Sequence, residues 1–217
     1  RLKRFVNGAN LPAHKRYQSY ISSFHGIKKE HLFKQDLLAN SSDWCTEIAA
    51  RYFTQDNAAD HVVKALYLDT KMYLPDDILA LSDRLSMRHS LELRVPFVDH
   101  RVAEFCAKIP SSLKIKWNRK KHLLKKISGQ YIPKNIINNP KQGFASPMTS
   151  WIRHDIKDYV TETLSRERLS AHGFFNEKCV ENIINDHMEM RSNNYKLIFS
   201  LLMFQKWFEN YGQGALL

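Results

Sequence analysis

Apolar residues along this chain recur at helical spacing almost throughout and alternate almost nowhere, which restricts it to helical architecture unless a sheet is supplied from elsewhere. Behind Pro12, a residue tolerated in a first helical turn, Tyr17, Tyr20, Ile21 and Phe24 follow the i, i+3, i+4, i+7 rule. Asp43 offers an N-cap for a helix carrying Trp44, Ile48 and Tyr52, and a helix over 58–68 places Val62, Val63 and Leu66 on one face. Six of the seven prolines (Pro75, Pro96, Pro110, Pro133, Pro140, Pro147) punctuate 74–147, so helices there are short. Two are marked by Val102, Phe105, Cys106 and Ile109, and by Leu123, Leu124 and Ile127 before Gly129. Longer helices follow, with stripes at Ile152, Ile156, Tyr159 and Val160 and at Val180, Ile183, Ile184 and His187. The run 197–208 is apolar enough to be central, with Gly212 as its stop.

With 217 residues the chain makes one large domain or two small ones, and 43% hydrophobic with 12% aromatic residues excludes a disordered tail. Cys45, Cys106 and Cys179 stand far apart with no Cys-x-x-Cys spacing, which suits a reducing compartment and three separate packing sites rather than a disulfide scaffold or zinc site. The longest strongly apolar stretch, 197–204, is interrupted by Ser200 and flanked by Lys196 and Lys206, far short of the roughly 20 residues of a membrane span. The start Arg1-Leu2-Lys3-Arg4 has neither Met nor a secretory signal, which suggests a cut or truncated product.

A formal charge of +11 peaks at 114–126, where Lys114, Lys116, Arg119, Lys120, Lys121, Lys125 and Lys126 crowd around Trp117 and His122. Such a cluster suits a polyphosphate or nucleic acid, or simply a solvated face. Further basic residues at Arg1–Arg4 and Lys28–Lys29 make the excess read as diffuse, favouring solubility over readout, and no nucleic-acid recognition motif occurs. Ten histidines form no His-Glu-x-x-His or Cys and His ligand pattern, so no metal site is expected. Ser86 with His89, or Cys45 with His61, read as packing rather than nucleophile and base. Seven scattered glycines form no phosphate-cradling loop.

Two blocks carry more information. Residues 83–99 hold Asp83, Arg84, Glu92, Arg94 and Asp99 among apolar neighbours, which reads as paired, partly buried ions. Helical spacing sets Asp83, Met87 and Ser90 on one side before the chain turns extended at Val95, ahead of Pro96. In 139–151, Lys141 lies between rigid Pro140 and permissive Gly143, a way to aim an ammonium from a loop. Phe144, Pro147 and Trp151 imply that this loop is anchored against a core.

In this order the blocks resemble the synthetase domain of glutamine-hydrolysing asparagine synthetases. The motifs are Leu74-Pro75-Asp76-Asp77-Ile78-Leu79, then the Asp-Arg-x-Ser-Met-x-x-Ser-Leu-Glu-x-Arg-x-Pro-Phe block from Asp83 to Asp99 with Val98 for the usual Leu, then Lys141 through Trp151. The match is close over 74–151 and general elsewhere. The resemblance implies that residues 1–217 are the mainly helical C-terminal part of an α/β pyrophosphate-loop ATPase domain, with a glutaminase domain and the ATP-binding loop upstream as partners.

It further implies a cytoplasmic ligase using ATP and magnesium, neither held tightly by this segment alone. Aspartate is adenylated and ammonia from glutamine then displaces AMP. Lys141 matches the catalytic loop lysine and Glu92 and Arg94 match a Glu-x-Arg against the active site, Glu92 catalytic and Arg94 supporting substrate. Asp83, Arg84 and Asp99 would support the site or form structural pairs, and Lys121 and Lys125 are phosphate-binding candidates. Lys125 departs from the family's usual Arg, and relatives that amidate sugars or close lactam rings leave the acceptor open. A membrane role is excluded, homo-oligomerisation is left open, and a basic nucleic-acid-binding module is the rival reading.

Overall fold

The computed structural model describes residues 6, 8–22, 29–39, 43–54, 60–117, 119–140, 143 and 146–212. The chain divides into two compact units, the first made of 1–20 and 44–141, the second of 21–43 and 142–217. The described residues are helical and form no strand longer than an isolated bridge. This bears out the mainly helical reading.

In the first unit the helix Ala13–Ile21 begins directly behind Pro12, as the sequence requires. Its Tyr17 packs with Tyr52, Ala65 and Met72 on a small core of Ala49, Phe53 and Leu68. The Tyr17 hydroxyl donates to Asp69 Oδ2 at 2.6 Å, and burial followed by this carboxylate pushes the phenol well above its ordinary pKa. Two expected faces are wrong by part of a turn. In Trp44–Phe53 the buried positions are Ala49 and Phe53, while Trp44 is exposed. In His61–Lys71 the buried position is Leu68, and Leu66 turns outward.

That second helix starts at a cap the sequence reading overlooked. Asp60 Oδ1 accepts the main-chain N–H groups of Val62 and Val63 at 2.8 and 2.9 Å, satisfying donors that a helix start leaves free. Its other oxygen takes the Ser111 hydroxyl, and this bond with the amide bonds holds the carboxyl below its usual range. Beyond Leu68 the elements are short, as the prolines dictate, and no described residue from 69 to 151 is buried. Phe105 and Cys106 on His100–Lys108 and Leu124 and Ile127 on His122–Ser128 keep helical spacing, yet all four are exposed.

The second unit is closed around a conventional core. Helices Met148–Arg153, Lys157–Thr163, Arg166–His172, Glu177–Met188 and Tyr195–Trp207 bury Ile152, Val160, Leu169, Val180, Ile183, Ile184, Leu197, Ile198, Leu201 and Leu202. Burying each such side chain stabilises by about 1.5–3 kcal/mol. The predicted stripe Val180, Ile183, Ile184 and His187 is buried in full. The predicted Ile152–Val160 stripe is split between two helices, with Ile152 and Val160 buried and Tyr159 exposed. Phe33 bridges to Phe175, and Lys34 reaches Glu177 at 2.8 Å. Gly173, at φ +70°, closes Arg166–His172 in the left-handed region that favours glycine.

The cysteines are all free, but only Cys179 is partly buried; Cys45 and Cys106 are exposed, so they are not packing residues among the described contacts. No described helix is long and apolar enough to cross a membrane.

Candidate functional site

The first motif lies on the helical run Leu74–Leu79 and Ala80–Arg88, where Pro75 occupies a first-turn position needing no N–H. The helix ends in a Schellman arrangement. Leu91 N–H returns to Ser86 O at 2.9 Å and Ser90 N–H to Met87 O at 3.0 Å, with Ser90 at φ +57° in the place glycine usually takes. Two helical carbonyls are thereby satisfied, and the chain is turned sharply into the non-helical segment 91–95.

Residues 91–95 lack helical structure, and their side chains alternate between apolar Leu91, Leu93 and Val95 and charged Glu92 and Arg94. Val95, at φ −118° and ψ 86°, is extended as Pro96 demands. Arg94 Nε donates to Glu92 Oε1 at 2.8 Å, and both side chains are open to solvent, at 84% and 69% exposure. The predicted pair exists, therefore, but on the surface of this unit and not partly buried. A pair so exposed contributes about 0–1 kcal/mol to stability. Its residues are available to a ligand or a covering surface.

The motif's far end is set by Asp99, the N-cap of His100–Lys108. Its Oδ1 accepts Arg101 N–H at 2.9 Å and Arg101 Nε at 3.0 Å, and its Oδ2 accepts Arg101 Nη2 at 2.9 Å. The Arg101 guanidinium, then its own amide, holds the Asp99 carboxyl below the usual carboxylate range. Asp99 is thus a capping residue. Arg101 escaped the sequence reading, although Asp-x-Arg at a helix start is the signal that would have found it. Asp83 and Arg84 are exposed and have no ion-pair partner among the described residues.

Lys141 lies outside the described residues, as do Gln142, Phe144 and Ala145. The described neighbours Gly143, Pro147 and Trp151 are exposed. The expected anchoring instead comes from Ile152, which is buried, and from Met148 packed beside it in the second unit's core. Lys121 stands at φ +57° as the residue before His122–Ser128, and its carbonyl accepts Lys125 N–H at 2.9 Å. Both lysines are exposed.

The positive charge is not diffuse. Eleven of the 33 Lys and Arg and none of the 22 Asp and Glu lie in 105–154, so the rest of the chain balances at 22 of each sign. Among the described residues no group of three or more His, Cys, Asp or Glu is placed to hold a metal ion. In the second unit an open groove of about 580 Å³, lined by Thr161, Ser165, Arg166, Asn176, Glu177 and Glu181, contains none of the predicted site residues.

The family model for asparagine synthase matches residues 2–209. The chain is 29% identical over 205 residues to asparagine synthetase (glutamine-hydrolysing) 1 of Bacillus subtilis, covering 94% of this chain and 32% of that protein. It is 33% identical over 123 residues to asparagine synthetase (glutamine-hydrolysing) of Mus musculus, covering 54% of this chain and 20% of that protein. Amidase chry2 of Gibberella zeae is 27% identical over 117 residues, covering 51% of this chain and 17% of that protein. The chain therefore spans about a third of the Bacillus relative's length and less of the others. No solved structure matches. With the family model covering nearly the whole chain, the chain belongs to the asparagine synthase family.

Proposed function

We propose that residues 1–217 are the C-terminal part of the synthetase domain of an ATP-dependent, cytoplasmic asparagine synthetase, inactive as this segment alone and competent within a longer polypeptide. The observation that carries the reading is the segment 91–95, held between the Ser90 turn and the Asp99 cap, with the Glu92–Arg94 pair exposed along it. Fixing both ends of a short non-helical stretch reduces the reorganisation its charged groups undergo when a substrate arrives.

In the proposed reaction an aspartate side-chain carboxylate oxygen attacks the α-phosphorus of ATP. The bond from that phosphorus to the bridging oxygen breaks, and pyrophosphate leaves with its electron pair. Ammonia, supplied from glutamine by an upstream domain, then attacks the acyl carbon; AMP departs and the nitrogen loses a proton. Lys141 stabilises the negative charge that builds on the phosphate oxygens. Glu92 orders the site or takes the ammonia proton, Arg94 steadies Glu92 and the substrate carboxylate, and Lys121 and Lys125 favour the departing pyrophosphate.

The test is aspartate-dependent exchange of labelled pyrophosphate into ATP by the full-length protein. Lys141→Ala is expected to abolish it, and exchange at the wild-type rate overturns the assignment. The isolated chain should show no exchange. A second reading, an amide-forming enzyme with a different carboxylate acceptor, is favoured by the likeness to amidase chry2 and by Lys125 where the family usually has Arg. Exchange supported by another carboxylate but not by aspartate selects it.

A further inference from the structure

The acid-free stretch contains a feature that the synthetase chemistry leaves unused. Lys116 and Arg119 bond main chain to main chain in both directions, at 3.1 and 2.9 Å, closing a hairpin with two residues between them. At its tip Trp117 is 94% exposed and sits at φ +54°, a left-handed conformation that glycine or asparagine adopts at far lower cost. A bulky indole kept in that conformation and in water is displayed, not packed.

Its neighbours in sequence are cationic, and no acidic residue occurs from 105 to 154. Lys116, Arg119, Lys120, Lys121, Lys125 and Lys126 have no ion-pair partner among the described residues. The next exposed ring in the same acid-free stretch is Tyr131, at 80% exposure, on the turn after His122–Ser128. Flat rings among unpaired cations match a polyanion that also offers flat faces.

We propose that this hairpin is a binding surface for single-stranded nucleic acid, with Trp117 as a stacking platform and Lys116, Arg119 and the adjoining Lys120 against the phosphates. A duplex hides its base faces, and a two-residue turn carries no helix to read a groove. A membrane wedge needs an apolar tip, whereas Trp117 is followed in sequence by Asn118, Arg119, Lys120 and Lys121. The surface does not depend on the adenylation reading, because Trp117, Lys116, Arg119 and Lys120 are not assigned to that chemistry.

The experiment uses the full-length protein and a fluorescein-labelled twelve-nucleotide oligouridylate, read by anisotropy across 50–200 mM KCl with and without saturating ATP. Binding should persist under ATP and weaken about tenfold in Trp117→Ala, while Trp117→Phe retains it. Replacing Lys116, Arg119 and Lys120 together with Gln should lower the slope of log K against log salt by about 2. Pyrophosphate exchange measured in parallel should be unchanged in Trp117→Ala, so failure of the synthetase reading and failure of this one are separable. Equal affinity in Trp117→Ala, loss of binding under ATP, duplex bound as tightly as single strand, or binding only to phosphatidylserine vesicles each overturns the proposal.

Discussion

Replacing Gln205 with Leu tests whether the second unit's core depends on one buried polar chain. Gln205 is 2% exposed on Tyr195–Trp207. His172 Nδ1 accepts Phe174 N–H at 3.1 Å, so the proton of the neutral ring sits on Nε2 and is donated to Gln205 Oε1 at 3.0 Å. Gln205 Nε2 in turn donates to Glu209 Oε1 at 3.2 Å. Phe174, Phe175, Phe204 and Phe208 surround the imidazole with centroids 5.0–5.8 Å away, leaving Nε2–H no other described acceptor. Leucine preserves volume, so the cavity contribution is small. Two hydrogen bonds are lost at about 1 kcal/mol each, and the orphaned N–H adds about 1–3 kcal/mol of desolvation. Glu209 retains Lys206 at 2.8 Å and Arg168 at 3.2 Å, and leucine recovers some apolar burial, which brings the expected net cost to about 2 kcal/mol. Urea unfolding at pH 7.5 should show a lower midpoint at unchanged m-value. The double variant His172→Phe with Gln205→Leu removes both partners and should regain much of the loss. A single-variant cost below about 0.5 kcal/mol, or strict additivity in the double, refutes the reasoning.

Acidification should loosen the same unit. Burial lowers the pKa of His172 below the ordinary 6.5, and burial followed by the Arg153 cation does the same for His187, which is 0% exposed and accepts Asn194 N–H at Nδ1. The unfolded chain therefore takes up these protons first, so stability is complete above about pH 6.5 and falls below it, by at most about 1.4 kcal/mol per pH unit for each ring. Urea midpoints that stay flat from pH 7.5 to 5.5 contradict this. Gly212→Ala places a methyl against the Phe208 ring, 2.7 Å from Cε2, and displacing a ring that meets His172 edge-on should cost about 1–3 kcal/mol by thermal unfolding. A neutral result means that the ring yields freely.

Sequence reading succeeded where one helical face meets one core. Val180, Ile183, Ile184 and His187 are buried as spaced, because Glu177–Met188 has a single apolar side and a closed unit to bury it in. It failed by part of a turn at Trp44 and Leu66, where apolar residues occur on more than one side and only tertiary packing selects among them. Caps were the commoner omission: Asp60 and Asp99 act through main-chain bonds that hydrophobic periodicity does not register. The alternation Leu91-Glu92-Leu93-Arg94-Val95 is too short to stand out from helical noise, yet it sets which side chains share a face at the site. The acid-free run 105–154 was legible by counting and was obscured by basic residues at Arg1–Arg4 that acids elsewhere balance.

The two units divide structural from chemical information. The residues that hold the second unit closed are mostly aliphatic and aromatic, with Thr163, His187 and Gln205 buried among them, and their arrangement follows from burial and from the hydrogen bonds of those few polar groups. The motif from Asp83 to Asp99 lies instead in a stretch where no described side chain is buried, so burial within its own unit does not account for its composition. Two of its features, the Ser90 turn and the Asp99 cap, explain its shape, but Glu92 and Arg94 contribute little to the stability of an exposed pair. A charged pair that stability does not require, presented on a segment whose ends are both fixed, fits the proposed role of Glu92 and Arg94 toward substrate. Substitutions should accordingly separate by unit: Ile198→Ala, at a fully buried position, should lower stability by about 2–5 kcal/mol, whereas Glu92→Gln should leave the unfolding midpoint unmoved and appear only in pyrophosphate exchange or amide formation.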